Sequence, residues 1–192
     1  MGKKILFLFI LIPFISFGQC LTCAKNFGSW TDDFVYDYKK SVDGIYFMGS
    51  GLINKYDFNC NLLWSKTLGA NKMTSDDQGN IYVLTSYSGS IPVTINGLLF
   101  FPGLTLLKFD TNGNFIWSRS LGLGINYGMR DVYFNNGNLY VTGTFVQSIT
   151  ICNQITLSFT YNGDEKAFVA KLNLAGDLLD AKEFGTGRDT YA

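Results

Sequence analysis

The chain contains no histidine among its 192 residues, and its 15 basic side chains balance its 15 acidic ones. The absence of histidine excludes Ser-His-Asp and Cys-His catalysis and His-ligated zinc or haem. A net charge of zero argues against nucleic acid as a partner, because binding a phosphate backbone needs a basic excess. Charged residues make up only 16% of the chain, which is unlike a disordered segment or a coiled coil.

Glycine and aromatic residues are abundant instead, with 21 glycines and 16% aromatic residues. Aromatic residues favour strands, and glycines mark the turns between them. No segment shows a helical periodicity of useful length, so helical repeats and βαβ folds are disfavoured. The composition therefore predicts an all-β protein of a length that suits one domain.

The chain begins with the pattern of a secretory signal peptide. Lys3 and Lys4 precede an apolar run from Ile5 to Phe17, and small residues at Ser16 and Gly18 suit a cleavage site. The run is shorter than the roughly 20 residues that span a bilayer. We therefore expect residues 1–18 to be a signal peptide, with no membrane span, and residues 19–192 to be secreted or held on the outer cell surface.

Four cysteines follow, namely Cys20, Cys23, Cys60 and Cys152. Acylation of Cys20 is an alternative to ordinary cleavage, but Gln19 is larger than the residue that normally precedes a lipidated cysteine. In an oxidising compartment the four thiols permit two disulfides, in any of three pairings. Cys20-x-x-Cys23 also resembles a redox or metal pair, but no second such pair completes a zinc site.

A repeated segment dominates the rest of the chain. It runs without a gap from Lys55 to Gly69, from Lys108 to Gly122 and from Lys171 to Gly185. Each copy has an apolar strand, a turn rich in Asn, Gly and Asp, and a second apolar strand that carries Trp64 or Trp117 in the first two copies. This pattern predicts a β-hairpin in each copy.

A second element also recurs, as Gly79-Asn-Ile-Tyr-Val-Leu, as Gly137-Asn-Leu-Tyr-Val-Thr and more loosely as Asp43-Gly-Ile-Tyr-Phe-Met. Its apolar residues fill both alternating positions, so both faces of this strand are expected to be covered. With one further strand before it, each unit has four strands. Four strands in about 40–50 residues are typical of a propeller blade. The predicted fold is all-β, a partial β-propeller of about three four-stranded antiparallel blades.

Blades 2 and 3 are predicted to carry an extra hairpin, turning at Asn96-Gly97 and at Asn153-Gln154. Insertions of this kind lie on one rim of a propeller, where partners often bind. Aromatic residues on these insertions form a candidate ligand-facing surface for protein or carbohydrate, with covering of the hairpin cores as the alternative. The candidates are Tyr87, Phe100, Phe101, Phe159 and Tyr161.

The ends of the chain predict further blades. Ala24 to Gly28 matches the last strand of a blade, and Gly187 to Ala192 matches the start of the next one. Three blades cannot close a ring, because propellers have about 4 to 8 blades. We therefore expect an N-terminal fragment of a longer protein whose remaining blades are its partners in the ring.

These residues resemble the bacterial β-propeller repeat family known as SBBP, or seven-bladed propeller, repeats. The resemblance rests on Gly137-Asn-Leu-Tyr-Val-Thr-Gly143, Phe168-Val-Ala-Lys-Leu-Asn173, Asn112-Gly-Asn-Phe-Ile-Trp-Ser-Arg119 and Phe184-Gly-Thr-Gly-Arg-Asp189. Departures from the family pattern are Asp180 in place of tryptophan, Cys60 in the turn and a first blade without the longer insert. The resemblance implies a secreted or surface protein, often multi-domain, with no shared catalytic residues.

The remaining motifs favour structural roles. Trp64 and Trp117 at equivalent positions favour packing between blades over quinone-cofactor stacking. Asp110 to Asn114 resembles part of a calcium loop but lacks its spacing, which favours turn capping. Asp76-Asp77 suits a solvated turn. We predict no catalytic, cofactor-binding or metal-ligating residues.

The leading hypothesis is a non-catalytic, secreted or cell-surface β-propeller scaffold that binds protein or carbohydrate. The alternative is part of a propeller enzyme, a glycoside hydrolase or lyase or a quinone-dependent dehydrogenase, whose site would lie mostly in further blades. A third hypothesis is a purely structural spacer.

Overall fold

The described part of the chain consists of strands, turns and connecting segments. The computed structural model describes residues 34–70, 72–87, 89, 93–95, 97–122, 129–159 and 165–185, except the side chains of 129 and 130. Within these residues there is no helix, and hence none with the length and hydrophobicity that crossing a bilayer requires. The predicted signal peptide, Cys20, Cys23, Tyr161 and the two predicted end strands lie outside the described residues.

Three four-stranded antiparallel sheets, which we call blades, follow one another along the chain. Blade 1 contains β1 (Val35–Lys40), β2 (Ile45–Gly49), β3 (Leu52–Tyr56) and β4 (Leu62–Thr67). Blade 2 contains β5 (Lys72–Ser75), β6 (Ile81–Tyr87), β9 (Gly103–Phe109) and β10 (Phe115–Gly122), and carries the hairpin of β7 (Val93–Ile95) and β8 (Leu98–Phe100). Blade 3 contains β11 (Met129–Asn135), β12 (Asn138–Phe145), β15 (Lys166–Asn173) and β16 (Leu178–Phe184), and carries the hairpin of β13 (Ser148–Ile151) and β14 (Ile155–Ser158).

This architecture confirms the predicted fold class, including the extra hairpins in blades 2 and 3. The strand order within each blade follows the chain, and the three sheets form an open, partial propeller. The second and third strands pair in the same register in all three blades. Tyr46 is opposite Lys55, Tyr82 is opposite Lys108 and Tyr140 is opposite Lys171. Residues with the same offset from these pairs are therefore structurally equivalent.

Blade 2 has apolar residues on both faces because it lies between two neighbours. Ile81 and Val83 of β6 belong to the core shared with blade 1. Tyr82 and Leu84 of the same strand belong to the core shared with blade 3. Successive residues of a strand point to opposite faces, so one strand serves two cores. The expectation that both faces of this strand are covered is confirmed.

The first strands of the blades lie side by side. The Asp37 carboxylate on β1 accepts a hydrogen bond from the Met73 backbone N–H on β5, at 3.1 Å. The Thr74 hydroxyl on β5 accepts one from the Phe134 N–H on β11, at 3.2 Å. Side-chain hydrogen bonds thus join strands of different sheets, for which no backbone ladder is available.

Trp64 and Trp117 pack on the turn of the next blade. A side-chain carbon added at Gly113 would lie 2.9 Å from the Trp64 ring, and one added at Gly176 would lie 3.0 Å from the Trp117 ring. Both glycines have positive φ, of 80° and 84°. The prediction that Trp64 and Trp117 serve packing between blades is confirmed.

Candidate functional site

The two extra hairpins lie at the same end of their blades, between the second and third strands. Strand β13 packs against β10 of the preceding blade, and β14 packs against β16 of its own blade. Hairpin β7–β8 likewise packs against β10 of its own blade. Each hairpin therefore lies over a junction between blades, and a crevice adjoins each one.

The first crevice, which we call crevice A, has a volume of about 280 Å³ and lies between the end of blade 1 and hairpin β7–β8. Its wall is mainly apolar, and the Thr85 hydroxyl in it donates a hydrogen bond to the Gly69 carbonyl at 2.9 Å. The lining residues are Thr67, Leu68, Gly69, Thr85, Ser86, Tyr87, Ile95, Leu98 and Phe100.

The second crevice, crevice B, has a volume of about 240 Å³ and lies between blades 2 and 3. It is more polar, because Arg119 and Asp177 line it together with amide and hydroxyl groups. The Arg119 guanidinium donates to the carbonyls of Ser118 and Ala175, both at 3.1 Å, and lies over the Trp117 ring. The remaining lining residues are Phe101, Ser120, Cys152, Asn153, Gln154 and Gly176.

Cys152 is a free thiol at the turn of hairpin β13–β14. Burial raises its pKa to about 11, against a smaller lowering by the charge of Arg119. The thiol therefore stays protonated at neutral pH, and thiolate chemistry is suppressed there. Cys60, in contrast, is disulfide-bonded.

The structure brings together two of the predicted ligand-facing residues, Tyr87 and Phe100, in crevice A. Phe101 lines crevice B. Phe159 packs against Phe145, with ring centroids 5.6 Å apart, and Lys166 lies over its ring. Phe100 is also buried in the core between blades 1 and 2, so its ring belongs to both the core and the crevice wall.

A lysine clamp between blades is the feature that sequence reasoning missed. The Lys55 ammonium is buried and donates to the Asp43 carboxylate at 2.7 Å and to the Thr111 carbonyl and hydroxyl in the next blade. It also lies 5.2 Å from the centre of the Tyr46 ring. The recurrence of a lysine opposite a tyrosine was the sequence signal for this contact.

The clamp recurs in blade 2 with fewer partners. The Lys108 ammonium lies 5.0 Å from the Tyr82 ring centre and donates to the Leu174 carbonyl of blade 3 at 3.2 Å. Leu174 occupies the same turn position as Thr111, so the geometry of the first junction is repeated at the second. In blade 3, Lys171 lies over Tyr140 at 6.0 Å.

The Asp110 turn is capped by its own carboxylate. One oxygen accepts hydrogen bonds from the N–H groups of Asn112 and Asn114, and the other accepts from the Asn114 side-chain amide, all at 2.8 Å. Burial raises the pKa of Asp110, but the hydrogen bonds from Asn114 and Asn112 outweigh it and hold the pKa below its usual range. Turn capping at this loop is therefore confirmed.

Asp76 caps its turn in the same way, and the expectation of solvation is wrong for it. Its carboxylate is buried and accepts hydrogen bonds from the N–H groups of Gln78 and Asn80 and from the Tyr82 hydroxyl. The sequence placed Asp76 in a turn correctly. The Tyr82 hydroxyl, which hydrogen-bonds to this carboxylate at 3.0 Å, comes from β6 of the same blade.

Among the described residues, no three His, Cys, Asp or Glu side chains are placed so that they could hold a metal ion. No family model matches the chain, and no curated protein matches it. A solved structure titled as a protein of unknown function from Bacteroides caccae matches with a TM-score of 0.41 and 14% identity, over 76% of this chain and 59% of that one. The chain thus spans about three fifths of the length of that protein.

Proposed function

We propose that this chain is a non-catalytic scaffold of a secreted or cell-surface β-propeller protein, which binds a protein or carbohydrate partner at the rim that carries the two hairpins. The observation that carries the proposal is the pairing of each extra hairpin with a crevice at a blade junction. Concave sites with a few polar groups are the usual places of recognition.

The hydrogen bonding of several charged side chains within the fold supports the non-catalytic part of the proposal. Lys55 donates a hydrogen bond to Asp43, and Asp110 caps a turn. Asp37 accepts a hydrogen bond from the backbone of the neighbouring strand. General acid–base catalysis needs a carboxyl group aimed at a substrate. These carboxylates are instead occupied by backbone and side-chain donors.

Two observations support the proposed location. The first 18 residues have the pattern of a secretory signal, and Cys60 is disulfide-bonded. Disulfides persist mainly in oxidising compartments outside the cytosol.

The test is binding of the full chain to peptide arrays and glycan arrays. We expect saturable binding to members of one class, strongly reduced by Tyr87→Ala in crevice A. Tyr133→Ala, at an exposed tyrosine on the first strand of blade 3, is the matched control and should leave binding unchanged. Loss of binding in the control but not in the Tyr87 variant would move the site away from the rim. Turnover of a substrate that depends on a blade residue would contradict the scaffold.

A further inference from the structure

Gly69 and Gly122 occupy the same position in successive repeats, but their surroundings differ. A side-chain carbon added at Gly122 would lie 2.8 Å from Cγ1 of Ile149 and 3.3 Å from the Thr150 carbonyl oxygen. One added at Gly69 would meet no atom of the described residues within 4 Å. The space beside the outer strand is therefore filled by a strand of the next hairpin at one junction, whereas no part of the chain that the structure describes fills it at the other.

The two hairpins show the same difference. Ile95 pairs with Leu98 beside the turn of one hairpin, and Ile151 pairs with Ile155 beside the turn of the other, so Ile95 and Ile151 are equivalent. Ile151 is fully buried, whereas Ile95 is 47% exposed. Hairpin β7–β8 is anchored by Leu98 and Phe100 of its second strand, and its first strand stands away from Gly69. Crevice A is the resulting gap.

The wall of crevice A is mainly apolar, like the core next to it. Leu68, Leu98 and Phe100 belong both to its wall and to the core between blades 1 and 2. The described residues of the lining supply hydroxyl groups but no charged side chain, amide or guanidinium, the groups that make paired hydrogen bonds to neighbouring sugar hydroxyls. An uncharged, mainly apolar wall gains most from burying an aliphatic group.

We propose that crevice A binds an extended peptide segment of a protein partner, with an aliphatic side chain placed beside Gly69 as Ile149 is placed beside Gly122. This inference rests on the proposed function and names its partner class. The chain itself supplies the template, because β13 is an extended segment that fills the equivalent space in the next blade.

The probe is the blocked tetrapeptide with the sequence of Ser148–Ile151, titrated into the isotope-labelled full chain and followed by amide NMR shifts. We expect shifts concentrated at Gly69, Ser86 and Leu98, with a dissociation constant on the order of 1 mM for so small a ligand. A control peptide with serine in place of both isoleucines should produce none of these shifts.

Two variants test the location. Gly69→Leu places a side chain in the open space and should abolish the shifts, and its Cβ would meet no atom of the described residues within 4 Å. Ile95→Val should weaken binding about fourfold, the equivalent of one buried methylene. Ile116→Val is the matched control, because Ile116 is 48% exposed on the outer strand of blade 2 and lies outside the crevice.

The inference is overturned if the peptide binds Gly69→Leu as well as it binds the unchanged chain. It is also overturned if no shifts are seen at a peptide concentration that would saturate a site of the expected affinity. Shifts at the same amides with a β-linked N-acetylglucosamine trimer but not with the peptide also overturn it, and identify a sugar site. If the peptide fails while array binding still depends on Tyr87, the inference fails and the proposed rim scaffold stands. If the peptide binds as expected but the chain turns over a substrate in a reaction that depends on a blade residue, the scaffold proposal fails instead.

Discussion

A single buried ammonium illustrates how charge is used in this chain. Moving a lysine out of water costs several kcal/mol unless its donors are satisfied. Lys55 meets this requirement with a carboxylate, a carbonyl, a hydroxyl and an aromatic face. Burial raises the pKa of Asp43, but the hydrogen bonds from Lys55, Thr111 and Ser41 and the charge of Lys55 hold the pKa below its ordinary value. The pair connects two blades through specific atoms.

We expect Lys55→Met to lower the free energy of unfolding by about 2–3 kcal/mol, because it removes charge-assisted bonds while keeping the aliphatic stem. Lys108→Met should cost only about 1 kcal/mol, since its ammonium donates to one neutral carbonyl. Urea denaturation measures both values. Lys182→Met, at an exposed lysine, is the control, and equal losses in all three variants would contradict the clamp.

The Cys152 thiol gives a pH prediction. Because burial raises its pKa to about 11, the folded state favours the neutral thiol. Its contribution to stability is present below the ordinary thiol pKa and is lost as the pH rises through 11. We expect the rate of alkylation of the folded chain to reach half its maximum near pH 11, and that of the urea-unfolded chain near the ordinary thiol value. Coincident pH profiles would refute the burial of this thiol.

The turns act as connecting elements between blades as well as between strands. Asp57, Asp76 and Asp110 each accept the N–H groups two and four residues later, and an asparagine four residues on completes each cap. In the last turn Asn173 accepts the same N–H groups, and its amide donates to Asp177. Asparagine thus stands where the other turns have aspartate, and aspartate where they have asparagine, while the pattern of hydrogen bonds is retained. A turn held in this way presents a fixed surface to the tryptophan of the preceding blade.

We expect Gly113→Ala to be much more costly than Gly137→Ala. Both glycines have positive φ, which costs an alanine about 1 kcal/mol. At Gly113 the new methyl group would also meet the Trp64 ring at 2.9 Å, whereas at Gly137 it would meet none of the described atoms within 4 Å. Overpacking adds about 1–3 kcal/mol to the loss.

Thermal unfolding and tryptophan fluorescence measure this difference. The Gly113 variant should melt at a lower temperature than the Gly137 variant, with a changed Trp64 emission in the folded state. Equal melting temperatures would show that the turn of blade 2 does not bear on Trp64.

At the scale of the whole molecule, equivalent residues have different surroundings according to the position of their blade. On the first strand of each blade, one residue pairs with the residue that follows the recurring tyrosine. These equivalent residues are Tyr38, Met73 and Val132. Tyr38 is 66% exposed, and Met73 and Val132 are buried. The face that carries Tyr38 is open to solvent in blade 1, whereas the equivalent face of blades 2 and 3 is covered by the preceding blade. Phe47 and Tyr56, which are both half-buried, contact this aromatic side of blade 1 through their rings.

We expect Tyr38→Arg to change the free energy of unfolding by less than about 1 kcal/mol, because its side chain already faces solvent. Met73→Arg should prevent folding or cost more than about 4 kcal/mol, because it buries an unpaired charge. Circular dichroism and urea denaturation distinguish the two. A Tyr38 variant as damaged as the Met73 variant would show that the exposed face of blade 1 is covered in solution.

Local sequence signals were sufficient for the strands and turns. Asn112-Gly113, the recurring tyrosine strand and the two inserted hairpins were recognisable because alternation of apolar residues and turn chemistry act over a few residues. The alignment of Lys55, Lys108 and Lys171 also identified equivalent positions before any coordinates. The sequence did not indicate what those lysines bind, because Thr111 and Leu174 belong to the next blade and are far from the lysines along the chain.

The amino-acid pattern alone thus determined an all-β chain of three repeated four-strand units with two extra hairpins. Only the tertiary structure decided that Ile151 is buried and Ile95 is not, that Gly122 is covered and Gly69 is open, and that Asp76 is enclosed. The physical reason is that strand formation follows from the residues of the strand itself, whereas burial depends on how closely a separate segment packs against them.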